Sequence, residues 1–420
     1  MRPIYPLLAA WLAVASNTSC AAKKVVRTTG SDCNPAEIHS KIELWSNTTC
    51  LRGANVWQRR INRVQDGDSL GTEKAGPPYL QSDFDKLKTL GANWVNLSVP
   101  GIFSETVPYT LDSDMLQNLD LLVQRALKAD LFVVISFRTG PGRNEKAIID
   151  SENGSHKVWS DTSAQRYWVE MWKTTADYFK NFSHVVGYNL MVEPNSNIAI
   201  HSIEDPKTFY SQHRDSLSDW NPLFQRIITG IRSIDSNTPI IVEPMNFASL
   251  EWLDALARPN DRGLVFAVHF YEPYAYTHQY PPLKLKYQAV SDWTGNGKLE
   301  PLDRVWIEKQ LKQVSQFRES YAIPVVMNEW GAMRYEPGAK GYFSDTFQIL
   351  ESLQISHSLW LWESSYSGIQ YDQFNFRNGT RFSSHSESMP NALSDVIRAN
   401  WGKNRVRPSN LGALHTGSPK

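Results

Sequence analysis

From Leu51 to about Trp401, short apolar runs alternate with longer amphipathic stretches. Eight runs read as strands: 54–57, 92–99, 131–137, 184–192, 239–245, 264–271, 323–328 and 356–362. Helical spacing of apolar positions predicts helices over 112–129, 164–182, 217–234, 302–321 and 342–353. Runs such as LFVVISF at 131–137 are almost continuously apolar. That is the pattern of a parallel sheet covered on both faces, not of one half exposed to water. Eight strands separated by helical or loop segments suit a closed (β/α)8 barrel better than an open doubly wound sheet. The open alternative calls for a glycine-rich turn after the first strand, and none occurs. The expected fold is therefore α/β, a TIM barrel with long βα-loop insertions. The two long inserts, 196–220 and 272–300, both follow the C-terminal end of a strand, the face on which such barrels keep their sites.

Outside the alternating region the chain divides simply. Residues 1–20 read as an export signal, with Arg2 before a short apolar run and Ala13-Val14-Ala15 as a cleavage site. Thr18-Ser19-Cys20 resembles the end of a lipoprotein box, although Asn17 does not fit its start, so a lipid anchor at Cys20 stands beside ordinary cleavage. Residues 21–48 read as a linker or N-terminal arm, 49–403 as the barrel, and 404–420 as a C-terminal tail. Export makes a disulfide between Cys33 and Cys50 the expectation. It implies a secreted or cell-envelope location, periplasmic or lipoprotein in a bacterium. No stretch is long and apolar enough for a transmembrane helix.

Composition narrows the chemistry. The 43 basic and 43 acidic residues cancel, which argues against a nucleic-acid partner. The chain carries 15 Trp, 17 Tyr and 17 Phe, enough for a large aromatic core or for platforms that stack sugar rings. His184, His201, His213, His269 and His278 show no metal-binding spacing, and neither a metal nor another cofactor is expected. A monomer is the expected state.

Four glutamates stand at or just after strand ends: Glu193, Glu243, Glu329 and Glu363. Strands four and seven end on opposite sides of a barrel mouth, so Glu193 and Glu329 can face one bound ligand. Around them, VGYNLMVEPN at 186–195 resembles the strand-four acid/base motif of glycoside hydrolase family 5, and VMNEWG at 326–331 its strand-seven nucleophile motif. His269-Phe270-Tyr271, the LWLW of 359–362 and the LRGAN of 51–55 resemble three further motifs of that family, in order, over about residues 50–400. The resemblance implies a retaining glycosidase acting on a β-linked oligo- or polysaccharide (glucan, mannan or a mannoside). Glu193 is then the general acid/base and Glu329 the nucleophile, with the carboxyls about 5–5.5 Å apart. Tyr271 would bond Glu329, His269 would line the site, and Trp360 or Trp362 would carry the sugar; Trp330 is a further aromatic candidate.

Three departures from the family pattern stand out. Asn96 replaces the strand-two arginine that keeps the nucleophile ionised. Strand three ends in Arg138-Thr139-Gly140-Pro141-Gly142 instead of a histidine motif, and Arg138 is the candidate to restore the missing charge. Val192 replaces the asparagine that bonds the sugar 2-hydroxyl, with Asn195 or Asn246 as substitutes. These changes leave a second reading beside hydrolysis, a barrel that binds carbohydrate without cutting it.

Overall fold

The computed structural model describes residues 33–46, 48–150, 153–366 and 373–411. The leader, Cys20 and Asn47 lie outside them. Eight strands form the barrel: β1 (Arg52–Trp57), β2 (Trp94–Pro100), β3 (Phe132–Thr139), β4 (Val185–Asn189), β5 (Ile240–Val242), β6 (Leu264–Phe270), β7 (Val325–Trp330) and β8 (His357–Leu359). All neighbouring pairs are parallel, and the sheet closes in the order β1-β8-β7-β6-β5-β4-β3-β2. Gly53 belongs in β1 because a side-chain carbon there would sit 1.9 Å from the Trp94 carbonyl oxygen.

Helices cover the outside: α1 (Gln81–Leu90), α2 (Ser113–Lys128), α3 (Thr162–Phe179), α4 (Trp220–Arg232), α5 (Arg304–Tyr321), α6 (Ala339–Ser352) and α7 (Ala392–Trp401). Aspartate caps set several starts. Asp112, Asp161, Asp219 and Asp303 each accept from a backbone N–H in the first turn of α2, α3, α4 and α5. Gly91 ends α1 at φ 112°, a left-handed position that suits glycine. After β5 no full helix forms. Asn246, Phe247 and Ala248 take φ of 59°, 58° and 60°, and a 3-10 helix over Leu250–Ala255 fills the gap.

The arm expected before the barrel packs against the barrel's N-terminal end. Trp45 meets Trp94 edge-on at 5.6 Å and donates through Nε1 to the Val186 carbonyl. Cys33 and Cys50 form the expected disulfide. At the other terminus, Arg407 donates to the Ala92 carbonyl, so the segment from 404 to 411 lies against the barrel. Among the described residues no helix is long and apolar enough to cross a membrane.

Two features of the strands position the site. Strand β4 stops at Asn189, earlier than the apolar run predicts, so Glu193 rides on a turn beyond the strand with φ 53°. Strand β7 runs two residues further than predicted, to Trp330, which fixes Glu329 inside the sheet.

Candidate active site

The interior of the barrel is polar just below its C-terminal mouth. The Asn96 amide donates to Asn55 Oδ1 at 2.7 Å and its oxygen accepts from Ser136 at 2.6 Å. Glu243, fully buried at the end of β5, gathers the next layer. It accepts from Asn189 at 2.6 Å, from Asn328 at 2.7 Å and from the backbone N–H of Glu193 at 2.6 Å. Burial pushes its carboxyl up, but His269 and these donors outweigh that and hold it below the ordinary value.

His269, on β6, sits above Glu243. Its Nδ1 lies 2.9 Å from Glu193 Oε1 and 3.7 Å from Glu329 Oε1, and its Nε2 lies 3.3 Å from Glu243 Oε1. Burial alone would strip the imidazole of its proton. The surrounding carboxylates of Glu329, Glu243 and Glu193 win and hold it well above its usual range, as an imidazolium.

The Glu193 and Glu329 carboxyls and the His269 ring offer atoms that all lie within 4.8 Å of one another. Two glutamates and a histidine so close also have the composition of a metal-ligand set. Tyr271 donates to Glu329 Oε1 at 2.7 Å. Burial drives the Glu329 carboxyl up to about 7, His269 draws it back, Glu193 adds to the rise, and Arg138 and the Tyr271 hydroxyl oppose it.

Arg138, near the end of β3, is 3% exposed. Its Nε donates to Glu145 Oε1 at 2.8 Å and its Nη1 to Ser98 at 3.3 Å, while its guanidinium lies 5.4 Å from the centre of the Trp360 ring. Burial disfavours its charge, but Glu145, Glu329 and Glu193 more than compensate. Arg138 thus places a buried positive charge that acts on both glutamates.

The remaining candidates separate by burial. Trp360 is half-buried at the mouth, whereas Trp362 is sealed between the Arg377 guanidinium at 4.6 Å and Phe376 at 5.6 Å. Both lie beyond the end of β8, where strand alternation no longer dictates direction. Trp330 is also core, packed on Phe343 and Phe347. Asn195 is fully buried, its amide on the Ala147 carbonyl at 2.7 Å, and Asn246 pairs with Asn197. Val192 is buried, and its backbone is held by the Phe137 carbonyl and Arg143. Glu363 is tied to Asn375 at 3.0 Å.

Residues not anticipated from the sequence complete the site. Glu145 accepts from both Arg138 and Trp57, and Arg143 reaches the backbone at Glu193. Both follow the Gly140-Pro141-Gly142 turn, and two ionisable residues directly after a strand-end turn were the signal available. On the side of Tyr271, His278 and Tyr274 of the 272–300 insert stack at 3.9 Å, and His278 meets Phe374, from the segment after β8, at 5.1 Å.

Residues 56–365 match the family model for cellulase, glycosyl hydrolase family 5. Endoglucanase C of Acetivibrio thermocellus is 22% identical over 354 residues, which span 77% of this chain and 92% of the relative. A beta-xylosidase of Phanerodontia chrysosporium is 23% identical over 283 residues, 59% of this chain and 56% of the relative. Among solved structures, Thermotoga maritima Cel5A in complex with mannotriose superposes with a TM-score of 0.60 at 18% identity, covering 85% of this chain and 100% of the other. A hyperthermophilic endo-beta-1,4-glucanase with bound substrate gives 0.62 at 18%, covering 86% and 99%. The chain belongs to glycosyl hydrolase family 5, and it is a glycoside hydrolase acting on O-glycosyl bonds.

Proposed function

We propose that this family 5 hydrolase cleaves β-linked glycosides of the glucan, mannan or mannoside type with retention of configuration, using Glu193 as acid/base and Glu329 as nucleophile. One observation carries the reading: the two carboxyls approach within 4.8 Å across the barrel mouth. Retaining pairs stand about 5–5.5 Å apart, whereas inverting pairs need about 6.5–9.5 Å to admit a water between them.

In the first step Glu193 gives its proton to the glycosidic oxygen as the bond from that oxygen to the anomeric carbon breaks. A Glu329 oxygen attacks the same carbon and forms a glycosyl ester. In the second step Glu193 takes a proton from water, the water oxygen bonds to the anomeric carbon, and the ester bond returns its electrons to Glu329. Oε1 of Glu329 accepts from the Tyr271 hydroxyl, while Oε2 is buried without a hydrogen-bond partner among the described residues. His269 serves the proton side. Its Nδ1 lies 2.9 Å from Glu193 Oε1 and orients that carboxyl. Arg138 and His269 then stabilise the carboxylate left on Glu329. Trp360 is the platform for the sugar.

The test is hydrolysis of a panel of aryl β-glycosides, β-glucan and β-mannan oligosaccharides by the wild type, Glu193→Ala and Glu329→Ala. Both substitutions should abolish cutting of the natural linkage. Azide should restore turnover of an activated aryl glycoside, giving the β-glycosyl azide with Glu193→Ala and the α-glycosyl azide with Glu329→Ala. The same anomer from both variants would overturn the assignment. Oligosaccharide binding without cleavage anywhere in the panel would revive the non-catalytic reading.

A further inference from the structure

The turn that carries Glu193 has an unusual support. Strand β4 has already ended, Glu193 takes φ 53°, and a left-handed conformation is disfavoured for a residue with a side-chain carbon. Such a conformation persists only where surrounding contacts impose it. Two charged groups grip this peptide from opposite sides. On its N–H side stands Glu243 Oε2, at 2.6 Å. On its carbonyl side stands Arg143, whose Nη2 donates to the Glu193 oxygen at 2.7 Å. The other terminal nitrogen of Arg143 donates to the Val192 carbonyl and to the Arg138 carbonyl, each at 2.7 Å.

Arg143 is completely buried and makes no ion pair among the described residues, so all three of its bonds go to backbone oxygens. Its own position is fixed by a tight turn in which the Gly140 and Arg143 backbones bond each other, at 3.0 and 2.9 Å. Burial, with Arg138 adding to it, lowers its guanidinium to about 10, which leaves it cationic at neutral pH. A fork of fixed geometry therefore joins the end of β3 to the turn after β4, and one arm of it ends on the residue whose carboxyl faces the cleft.

We infer that Arg143 is a positioning residue for Glu193: by holding the Val192 and Glu193 carbonyls together it fixes the turn so that the carboxyl points at the glycosidic oxygen. The inference rests on the acid/base reading of Glu193. It makes Arg143 the part of the scaffold on which proton delivery depends, while Glu329 itself is built on β7 and Arg143 reaches its surroundings only through the Arg138 carbonyl.

Leaving-group dependence separates this role from general support of the fold. A 2,4-dinitrophenyl glycoside departs without a proton, whereas a phenyl glycoside needs one, and kcat/KM reports the glycosylation step alone. The pair of substrates would be measured, as β-cellobiosides and as β-mannobiosides, with wild type, Glu193→Gln, Arg143→Lys and Arg143→Gln, each checked for folding by circular dichroism. Glu193→Gln should lose at least about 100-fold more on the phenyl than on the dinitrophenyl substrate. Arg143→Gln should lose at least about tenfold more on the phenyl substrate, with Arg143→Lys between it and the wild type. Equal losses on both substrates in the folded Arg143 variants, or no loss, would overturn the positioning role. If Arg143→Gln does not fold, Arg143→Lys alone decides between these outcomes. If Glu193→Gln itself shows no preference for the activated substrate, the acid/base reading fails, whatever Arg143 does.

Discussion

The hydroxyl of Tyr271 donates to Oε1 of Glu329 at 2.7 Å, and Oε2 of the same carboxyl is left buried and without a partner among the described residues. One oxygen of the carboxyl is thus held by the tyrosine. Removing the hydroxyl with Tyr271→Phe should cost about 1.5–3 kcal/mol of transition-state stabilisation, the usual value of a bond to a charged group, or roughly 10- to 100-fold in kcat/KM. Burial already raises Glu329 to about 7, and the hydroxyl is one of the groups opposing that rise. Its loss should move the acidic limb of the pH–kcat/KM profile to higher pH. A limb that stays in place or moves down would contradict this.

Arg138→Met removes a buried positive charge that acts on Glu329 and lies 5.4 Å from the centre of the Trp360 ring. With less positive charge nearby, Glu329 should take up its proton more readily, so activity should be lost at a higher pH than in the wild type. KM should rise as well, because the Trp360 ring loses the cation packed beside it. The pH profile of kcat/KM and the value of KM at the optimum read the two effects separately.

The two tryptophans after β8 should respond in opposite ways. Trp360 is half-buried at the mouth, and Trp360→Ala should raise KM with little change in thermal stability. Trp362 is 0% exposed and packed on Phe376, so Trp362→Ala should cost about 3–5 kcal/mol of stability. Thermal melts beside steady-state kinetics distinguish them.

Outside the site, Arg52 makes two 2.7 Å bonds to Glu351. Burial works against the charged form of Glu351, but the Arg52 and His357 contacts dominate and depress its carboxyl far below the ordinary value. A carboxyl depressed in the folded state contributes stability above its unfolded value, about 4.3, and that stability is lost as the pH falls toward the folded value. Arg52→Met should therefore be less stable than the wild type at pH 7, with the difference narrowing below about pH 4. A difference that is constant from pH 7 to pH 3 would contradict the linkage.

The sequence carried the barrel because parallel strands buried on both faces must be apolar along their length, and all eight runs correspond to strands. Strand ends were less legible. The run through Val192 stays apolar although β4 stops at Asn189, since Leu190, Met191 and Val192 are buried in a turn and not in the sheet. Glu193 and Glu329 could be picked out because strand ends four and seven face each other. The roles of Glu243 and Arg143 could not, because their partners are backbone atoms and side chains brought close only when the barrel closes. The choice between Trp360 and Trp362 was open for a similar reason: beyond Leu359 the chain leaves the strand, and direction is set by what Arg377 and Phe376 cover.

The central claim is that Glu329 becomes the covalent partner of the sugar. Incubation with 2,4-dinitrophenyl 2-deoxy-2-fluoro-β-cellobioside, and with its mannose counterpart, followed by peptide mass spectrometry, tests it most directly. The account predicts one glycosyl group on the peptide that contains Glu329, absent in Glu329→Gln and still formed in Glu193→Gln. A label on Glu193, or on any carboxylate other than Glu329, would contradict it.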